Sequence, residues 1–214
     1  EVFAGSARLT AAFRAHPHFQ EKVAEPWDIL YGEMFDLLVE SNLRKFLNLM
    51  ASGHIEGTWL GTPCTSFTTA GRWDGGPPPL RDPGDVLLAA PWISSERDLR
   101  SVETGYQLAF VTVRIILVAY QARAWYVVEN GVRTRLWEIA DLKEAFDVTK
   151  ADTAITDYCC WGLDSIAGLR SLWQKTTRLT GTLPGLPSLG RRCGNQRHCQ
   201  CSGRNHVALV GRDA

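Results

Sequence analysis

The stretch Ala124-Trp125-Tyr126-Val127-Val128-Glu129-Asn130-Gly131 decides the fold class of this chain. Its centre is apolar without the in-and-out alternation of a half-solvated strand, which marks a strand buried on both faces. On either side lie segments with helical periodicity, residues 102–121 and 134–146. A buried strand between two helices is the repeating unit of a parallel α/β sheet.

The same alternation continues outward. Residues 2–4 end a strand, Gly5-Ser6 turn the chain, and residues 7–15 read as a helix. Residues 22–27 form a short second strand. In residues 39–51, Leu43, Phe46, Leu47 and Met50 recur at helical spacing. Ser41 is the candidate N-cap of that helix, and Gly53 its stop. Residues 55–60 are a strand running into Gly61-Thr62-Pro63-Cys64, and residues 152–158 another. Between them residues 65–100 form a long loop rich in Gly and Pro (Gly75-Gly76-Pro77-Pro78-Pro79), of the kind that is functional or mobile in a compact domain. The expectation is an α/β fold: a mostly parallel sheet with helices on both faces. Ligands of such sheets bind beyond the carboxyl ends of the strands. Those ends carry Gly5-Ser6, Asp28, Pro63-Cys64 and Glu129-Asn130, which should converge on one crevice.

Length and composition set the bounds. A chain of 214 residues holds one or two domains. Apolar residues at 45% and charged ones at 21% exclude a disordered, collagen-like or disulfide-stapled miniprotein. The 23 basic and 23 acidic residues cancel, which removes any bulk electrostatic case for nucleic acid or membrane. Their distribution is uneven. Residues 165–214 carry eight basic residues and one acid, and the body before them is net negative. A basic tail fits contact with phosphates, or a solvated surface that balances an acidic body. The sequence opens at Glu1 on what reads as a strand already under way, so a fragment of a longer chain is expected. No signal peptide is visible. The apolar stretch at residues 108–119 is too short to span a membrane and suits a core helix.

Several residues carry chemistry. A glycine turn at the start of a helix, Phe3-Ala4-Gly5-Ser6-Ala7, lets a ligand approach backbone amides, although it lacks the dinucleotide fingerprint spacing. Asp28, with Glu25 as the alternative, stands where an acid binds ribose hydroxyls, and serves equally as a turn residue. Asp36 is either a helix-start residue or a ligand contact. Cys64, after Pro63 at a strand end, is placed for nucleophilic attack if its thiolate is stabilised; the bland reading is a small buried apolar residue. Glu129 follows a buried strand, where a carboxylate is costly unless paired or working, and Asn130 can hold its geometry through the backbone. Cys159 and Cys160 are adjacent, a poor disulfide framework, so reduced thiols and an intracellular setting are expected. Cys193, His198, Cys199, Cys201 and His206 are zinc-ligand types at no standard spacing, and no metal is assigned to them.

In order, these pieces resemble a known family. Phe3-Ala4-Gly5-Ser6 resembles the cofactor motif of the cytosine-5 DNA methyltransferases. Gly61-Thr62-Pro63-Cys64-Thr65-Ser66-Phe67-Thr68 resembles their Pro-Cys nucleophile motif, and Val128-Glu129-Asn130-Gly131 their Glu-Asn-Val motif. Trp161-Gly162 and Gln174-Lys175-Thr176-Thr177-Arg178 resemble the later aromatic-Gly and Gln-x-Arg-x-Arg motif. Val2 to Leu9, Trp59 to Cys64 and Pro77-Pro78-Pro79-Leu80-Arg81 look like a compact, divergent group of methyltransferase-like proteins. The resemblance implies a class I S-adenosylmethionine-dependent methyltransferase fold, Rossmann-like, with a catalytic domain over residues 1–180 and a short basic tail over 181–214. It implies that Cys64 attacks carbon 6 of a cytosine and that Glu129 protonates the ring nitrogen. It implies that Phe3, Ala4, Gly5, Ser6, Asp28, Asp36 and Pro63 line S-adenosylmethionine, and that Ser66, Asn130 and Arg178 contact the substrate. The partner would be DNA, with the target cytosine flipped out or single-stranded. A non-catalytic nucleic-acid-binding module and an RNA methyltransferase are the alternatives. These 214 residues leave no room for a separate recognition domain, so sequence preference would be weak, or supplied by a partner or by missing flanks.

Overall fold

The computed structural model describes residues 1–68, 78–162, 171–173, 175–194 and 197–207. Residues 69–77, which include Gly75-Gly76-Pro77, lie outside them, as does Gln174 of the arginine motif. The fold is α/β around a mixed four-stranded sheet. Strand β1 (Gly57–Leu60) runs parallel to β2 (Trp125–Gly131). Strand β3 (Asp152–Asp157) is separated from β2 by β5 (Thr176–Gly181), which is antiparallel to both. The sheet order is therefore β1-β2-β5-β3. Val2 adds single parallel bridges to Leu60 on one side and to Trp27 on the other. A separate pair, β4 (Ser171–Trp173) and β6 (Asn205–Val207), is parallel.

Two expectations change here. The sheet is mixed, because β5 inserts against the direction of its neighbours. The expected strand at 22–27 shrinks to the one bridge at Trp27.

The helices are α1 (Arg8–Ala15), α2 (Glu40–Ala51), α3 (Glu96–Gln121) and α4 (Ala140–Thr149). Ser41 does not cap α2: the helix begins one residue earlier, with Val39 at the cap position and no side-chain hydrogen bond. Its other end follows the expectation. Gly53 takes φ +78°, Gly53 N–H bonds Met50 O and His54 N–H bonds Leu49 O, the paired bonds of a Schellman stop. The helix expected at 134–146 divides into a 3-10 turn, Arg135–Glu138, and α4. α3 reaches six residues further toward the N-terminus than its apolar pattern indicates. By length and composition it could cross a membrane, but half of its most apolar window is buried within the protein.

Helices were expected on both faces of the sheet. Among the described residues, α2, α3 and α4 share one face. Leu43, Phe46 and Met50 of α2, Ile115, Ile116 and Ala119 of α3, and Leu142 and Phe146 of α4 pack with Leu60, Tyr126 and Val128 in the main core. Val127, Ala154 and Leu179 point the other way, onto Leu186 in the 3-10 turn Leu186–Leu189. This accounts for the sequence of β2: its alternate residues are apolar because each face meets its own core.

A buried arginine ties the chain after β1 to α3. Arg81 donates to the carbonyls of Val86 and Val102 and to Ser66 Oγ, with its guanidinium 3.7 Å over the Phe67 ring. Gly105 of α3 must lack a side chain here, since a Cβ would lie 2.2 Å from Ser66 Oγ.

The seating of β5 gives a stability test. A Cβ on Gly181 would lie 1.9 Å from Tyr126 O, a backbone atom of the neighbouring strand. Gly181→Ala should therefore cost about 3 kcal/mol, as overpacking against fixed atoms does. Gly57→Ala should cost less, because its methyl meets the Trp125 ring, which can turn aside. Urea denaturation of both variants checks the order, and equal losses would contradict this seating of β5.

Candidate active site at the strand ends

Reading across the sheet from Trp27, the strands come in chain order second, first, third, fourth. The order reverses between Val2 and β1, and ligands of such sheets bind beyond the carboxyl ends at a switch point of this kind. Two loops border it, Phe3–Ala7 and Gly61–Cys64.

The first loop is tightly wound. Phe3, Gly5 and Ala7 all have positive φ. Asp28, at the end of the second strand, holds it in place: Oδ2 accepts Gly5 N–H at 2.9 Å and Oδ1 accepts Leu30 N–H at 2.9 Å. The Tyr31 hydroxyl donates to Gly5 O at 2.9 Å. The structure thus joins Gly5 and Asp28, which the sequence reading placed at one ligand. Space is open where a Gly5 Cβ would stand. Ser6 is exposed, Phe3 and Ala4 are half-buried, and Phe3 packs on the main core. Asp36 does not join this group through any hydrogen bond shown. Its Oδ1 accepts Leu38 N–H at 2.9 Å and its carbonyl takes the Asn42 amide, so it shapes its own turn.

The second loop hangs on Asn130. Its Nδ2 donates to Thr62 O at 2.6 Å and its Oδ1 accepts Gly131 N–H at 2.9 Å. Thr62 also bonds Thr112 of α3 at 2.9 Å, side chain to side chain. Asn130 is almost wholly buried, so it clamps the Pro63-Cys64 loop instead of facing substrate. Ser66 is likewise buried and committed to Arg81. Both were expected to contact substrate, and in this structure both have protein partners. Arg178 pairs with Asn130 in the strand register, lays its guanidinium 4.6 Å over Trp137 and donates from Nε to Thr180 Oγ1. Burial lowers its pKa from the usual arginine value.

Beyond these supports stand the reactive groups. Pro63 is exposed and Cys64 half-buried, at the start of the 3-10 turn Thr65–Phe67. Glu129 accepts a hydrogen bond from Trp59 Nε1 at 3.1 Å. Two further residues belong to the group and were missed from sequence, Tyr158 and Lys175. Burial, then the charge and hydrogen bonding of Glu129, push the Tyr158 phenol far above its ordinary range, so it stays a hydrogen-bond donor. Tyr158 N–H bonds Lys175 O at 3.0 Å, and Lys175 Nζ sits 5.9 Å from the Tyr158 ring. Tyr158 ends an expected strand and Lys175 belongs to the arginine motif, yet only the fold brings them to Glu129.

The Cys64 thiol feels all of these charges. Burial pushes it up, Lys175 pulls it down, and Glu129 pushes it up again. The net shift is upward, so the resting group is a thiol. The four residues Cys64, Glu129, Tyr158 and Lys175 thus offer a soft nucleophile, a carboxyl group, a neutral phenol and a cation at adjacent strand ends. The hollow along α2 lined by Ser41, Arg44, Asn48 and Ser52, about 550 Å³, shares no residue with this group. Comparisons with family models, curated proteins and solved structures found no match.

The electrostatics predict an order of reactivity. The pH at which Cys64 becomes half-ionised should lie above that of an ordinary thiol, higher still in Lys175→Met and lower in Glu129→Gln. The rate of iodoacetamide alkylation against pH, read on the Cys64 peptide by mass spectrometry, checks this. The opposite order would remove Lys175 or Glu129 from the thiol's surroundings.

Proposed function

We propose that the chain is an S-adenosylmethionine-dependent methyltransferase that modifies carbon 5 of cytosine in DNA through a covalent cysteine adduct. The observation that carries this reading is the placement of Cys64 and Glu129. They sit at the ends of neighbouring parallel strands, close enough for the Glu129 charge to act on the Cys64 thiol.

The residues of the first loop fit the cofactor. Open space at Gly5 admits a ligand against the backbone. Each Asp28 oxygen accepts one N–H and keeps a lone pair for a ribose hydroxyl. Ile29 and Leu30 beside it are exposed apolar residues suited to a planar base. These features, together with parallel pairing on both sides of the switch point, a strand pair on one side and a single bridge on the other, support the class I methyltransferase fold.

The chemistry follows from the side chains. A cytosine within a duplex cannot reach Cys64, so it enters flipped out or from a single strand. The Cys64 thiolate bonds to carbon 6, while Glu129 in its acid form donates its proton to the ring nitrogen, and the electron pair gathers at carbon 5. Tyr158 and Trp59 orient Glu129 by donating to it. Lys175 favours the thiolate when the base arrives. S-adenosylmethionine, when bound, supplies an electrophilic methyl group. Once carbon 5 has taken the methyl group, loss of its proton to water breaks the carbon–sulfur bond and returns Cys64 as a thiolate, and the ring nitrogen gives its proton back to Glu129.

A second reading has one observation in its favour. The resting Cys64 is held as a thiol and Glu129 already has partners, which also suits a non-catalytic module of this fold that binds nucleic acid. One experiment separates the two. With S-adenosylmethionine, the enzyme should form a denaturation-resistant adduct on DNA containing 5-fluorocytosine, because the fluorine cannot leave as a proton does. Cys64→Ser should form none, and Glu129→Gln should methylate ordinary DNA about 10²–10⁴-fold more slowly. If neither adduct nor transfer to duplex DNA, single-stranded DNA or RNA occurs, the enzyme reading fails. Transfer confined to RNA would move the substrate and keep the mechanism.

A further inference from the structure

At the far end of β3, four thiols meet. Cys159 and Cys160 lie in the 3-10 turn Tyr158–Trp161, directly after the strand. Cys193 and Cys199 come from the C-terminal segment. All four are buried, and their sulfur atoms lie within 4.8 Å of one another. With Leu172 they make up an entire core cluster.

That cluster is a poor hydrophobic core. Among the residues of 191–206 whose side chains are described, the buried apolar ones are Cys193 and Cys199. Two small side chains do not offset the chain entropy of ordering such a segment. Polar anchors are present: Asp157 accepts Cys193 N–H at 2.7 Å and Arg192 Nε–H at 3.1 Å, its own N–H donates to Arg191 O at 2.7 Å, and β6 pairs with β4. The four buried sulfur atoms are arranged to add a further tie.

We propose that Cys159, Cys160, Cys193 and Cys199 bind one zinc ion as a structural tetrathiolate site. Zn–S bonds of about 2.3 Å place tetrahedral sulfurs about 3.8 Å apart, so the group closes on an ion with a contraction of at most ~1 Å. Four thiolates around a single point suit one metal ion; an iron–sulfur cluster spreads its thiolates over several irons. Binding exchanges four S–H protons for one Zn²⁺ and leaves a dianionic centre. A backbone donor faces it, Gln200 N–H at 3.4 Å from Cys193 Sγ, and His206 Nε2, 3.8 Å from the same sulfur, adds a second in the tautomer that is protonated there. Such outer contacts orient ligands and offset their charge. Cys201 is exposed, and it lies outside the four. The ion joins the turn after Tyr158 to the basic C-terminal segment, so it also fixes the chain beside Glu129. This inference does not rest on the methyltransferase reading.

The test uses the full chain, purified under reducing conditions from zinc-supplemented cells. Elemental analysis should find one zinc per chain, retained in Cys64→Ser and Cys201→Ser and lost in the Cys193→Ser/Cys199→Ser double variant. If that variant does not fold, cobalt titration of the zinc-stripped wild-type chain still decides. It should give thiolate-to-cobalt charge-transfer bands and the visible spectrum of a tetrahedral ion. A zinc-free chain with no such cobalt spectrum overturns the proposal, as do full zinc in the double variant, iron in place of zinc, or disulfides among these four cysteines.

Discussion

A single buried amide holds the centre of this protein's chemistry together. Asn130 reaches from the end of β2 to the carbonyl of Thr62 and closes on its own strand through Gly131. Parallel strands have no hairpin to join their ends, so the loops that leave them are free to diverge. Here a side chain supplies the missing link. Without it Thr62 O would be buried and unpaired, a loss of about 1–3 kcal/mol, and the chain carrying Pro63-Cys64 would lose its fixed height above the sheet. Thr62 and Thr112 extend the same network to α3. The reactive thiol is thus positioned by the core, although it stands in a loop.

Around that fixed point the electrostatics are opposed, which suits a group that must change state. Burial and Glu129 keep Cys64 protonated at rest, while Lys175 favours the thiolate. A resting thiol is protected from oxidation and adventitious alkylation, both of which follow thiolate character. Neutralising Glu129, by proton or by hydrogen bond, removes one of the two influences that hold the proton on sulfur. The ionisation of Cys64 is therefore sensitive to the charge at Glu129.

How much of this was legible in the sequence depends on the range of the interactions involved. β2 could be read because each face of it is apolar. The stop of α2 could be read because Gly53 supplies a positive φ that few other residues tolerate. Cys64 and Glu129 could be found because each follows a strand signal by a few residues. β5 escaped notice: Thr176-Thr177-Arg178-Leu179-Thr180-Gly181 is short and mixed, and its place between β2 and β3 is set by long-range pairing. The first turns of α3 escaped because Glu96-Arg97-Asp98-Leu99-Arg100-Ser101 has almost no apolar periodicity and is carried by the helix that follows. Tyr158 and Lys175 became site residues only through the fold. The link between Cys159-Cys160 and Cys193-Cys199 spans more than thirty residues, and no spacing rule reaches across that gap. Nor could the sequence show that Asn130 and Ser66 are buried and bonded to Thr62 and Arg81.

The latch at Arg81 differs in kind from the anchor at Asp157. Arg81 is buried, and it is held by carbonyls and a hydroxyl with no carboxylate among its hydrogen-bond partners. Burial lowers its pKa to about 10, and none of its acceptors takes up a proton in mild acid. Asp157 is the reverse. Burial pushes it up, but the bonds from Thr176, Cys193 N–H and Arg192 outweigh this and hold its pKa below the ordinary carboxylate value. The stabilisation it supplies is present above that ordinary value and is lost as pH falls through the lowered one. Acid therefore divides the molecule along a chemical seam: the C-terminal segment loosens while the connection between the Cys64 loop and α3 endures.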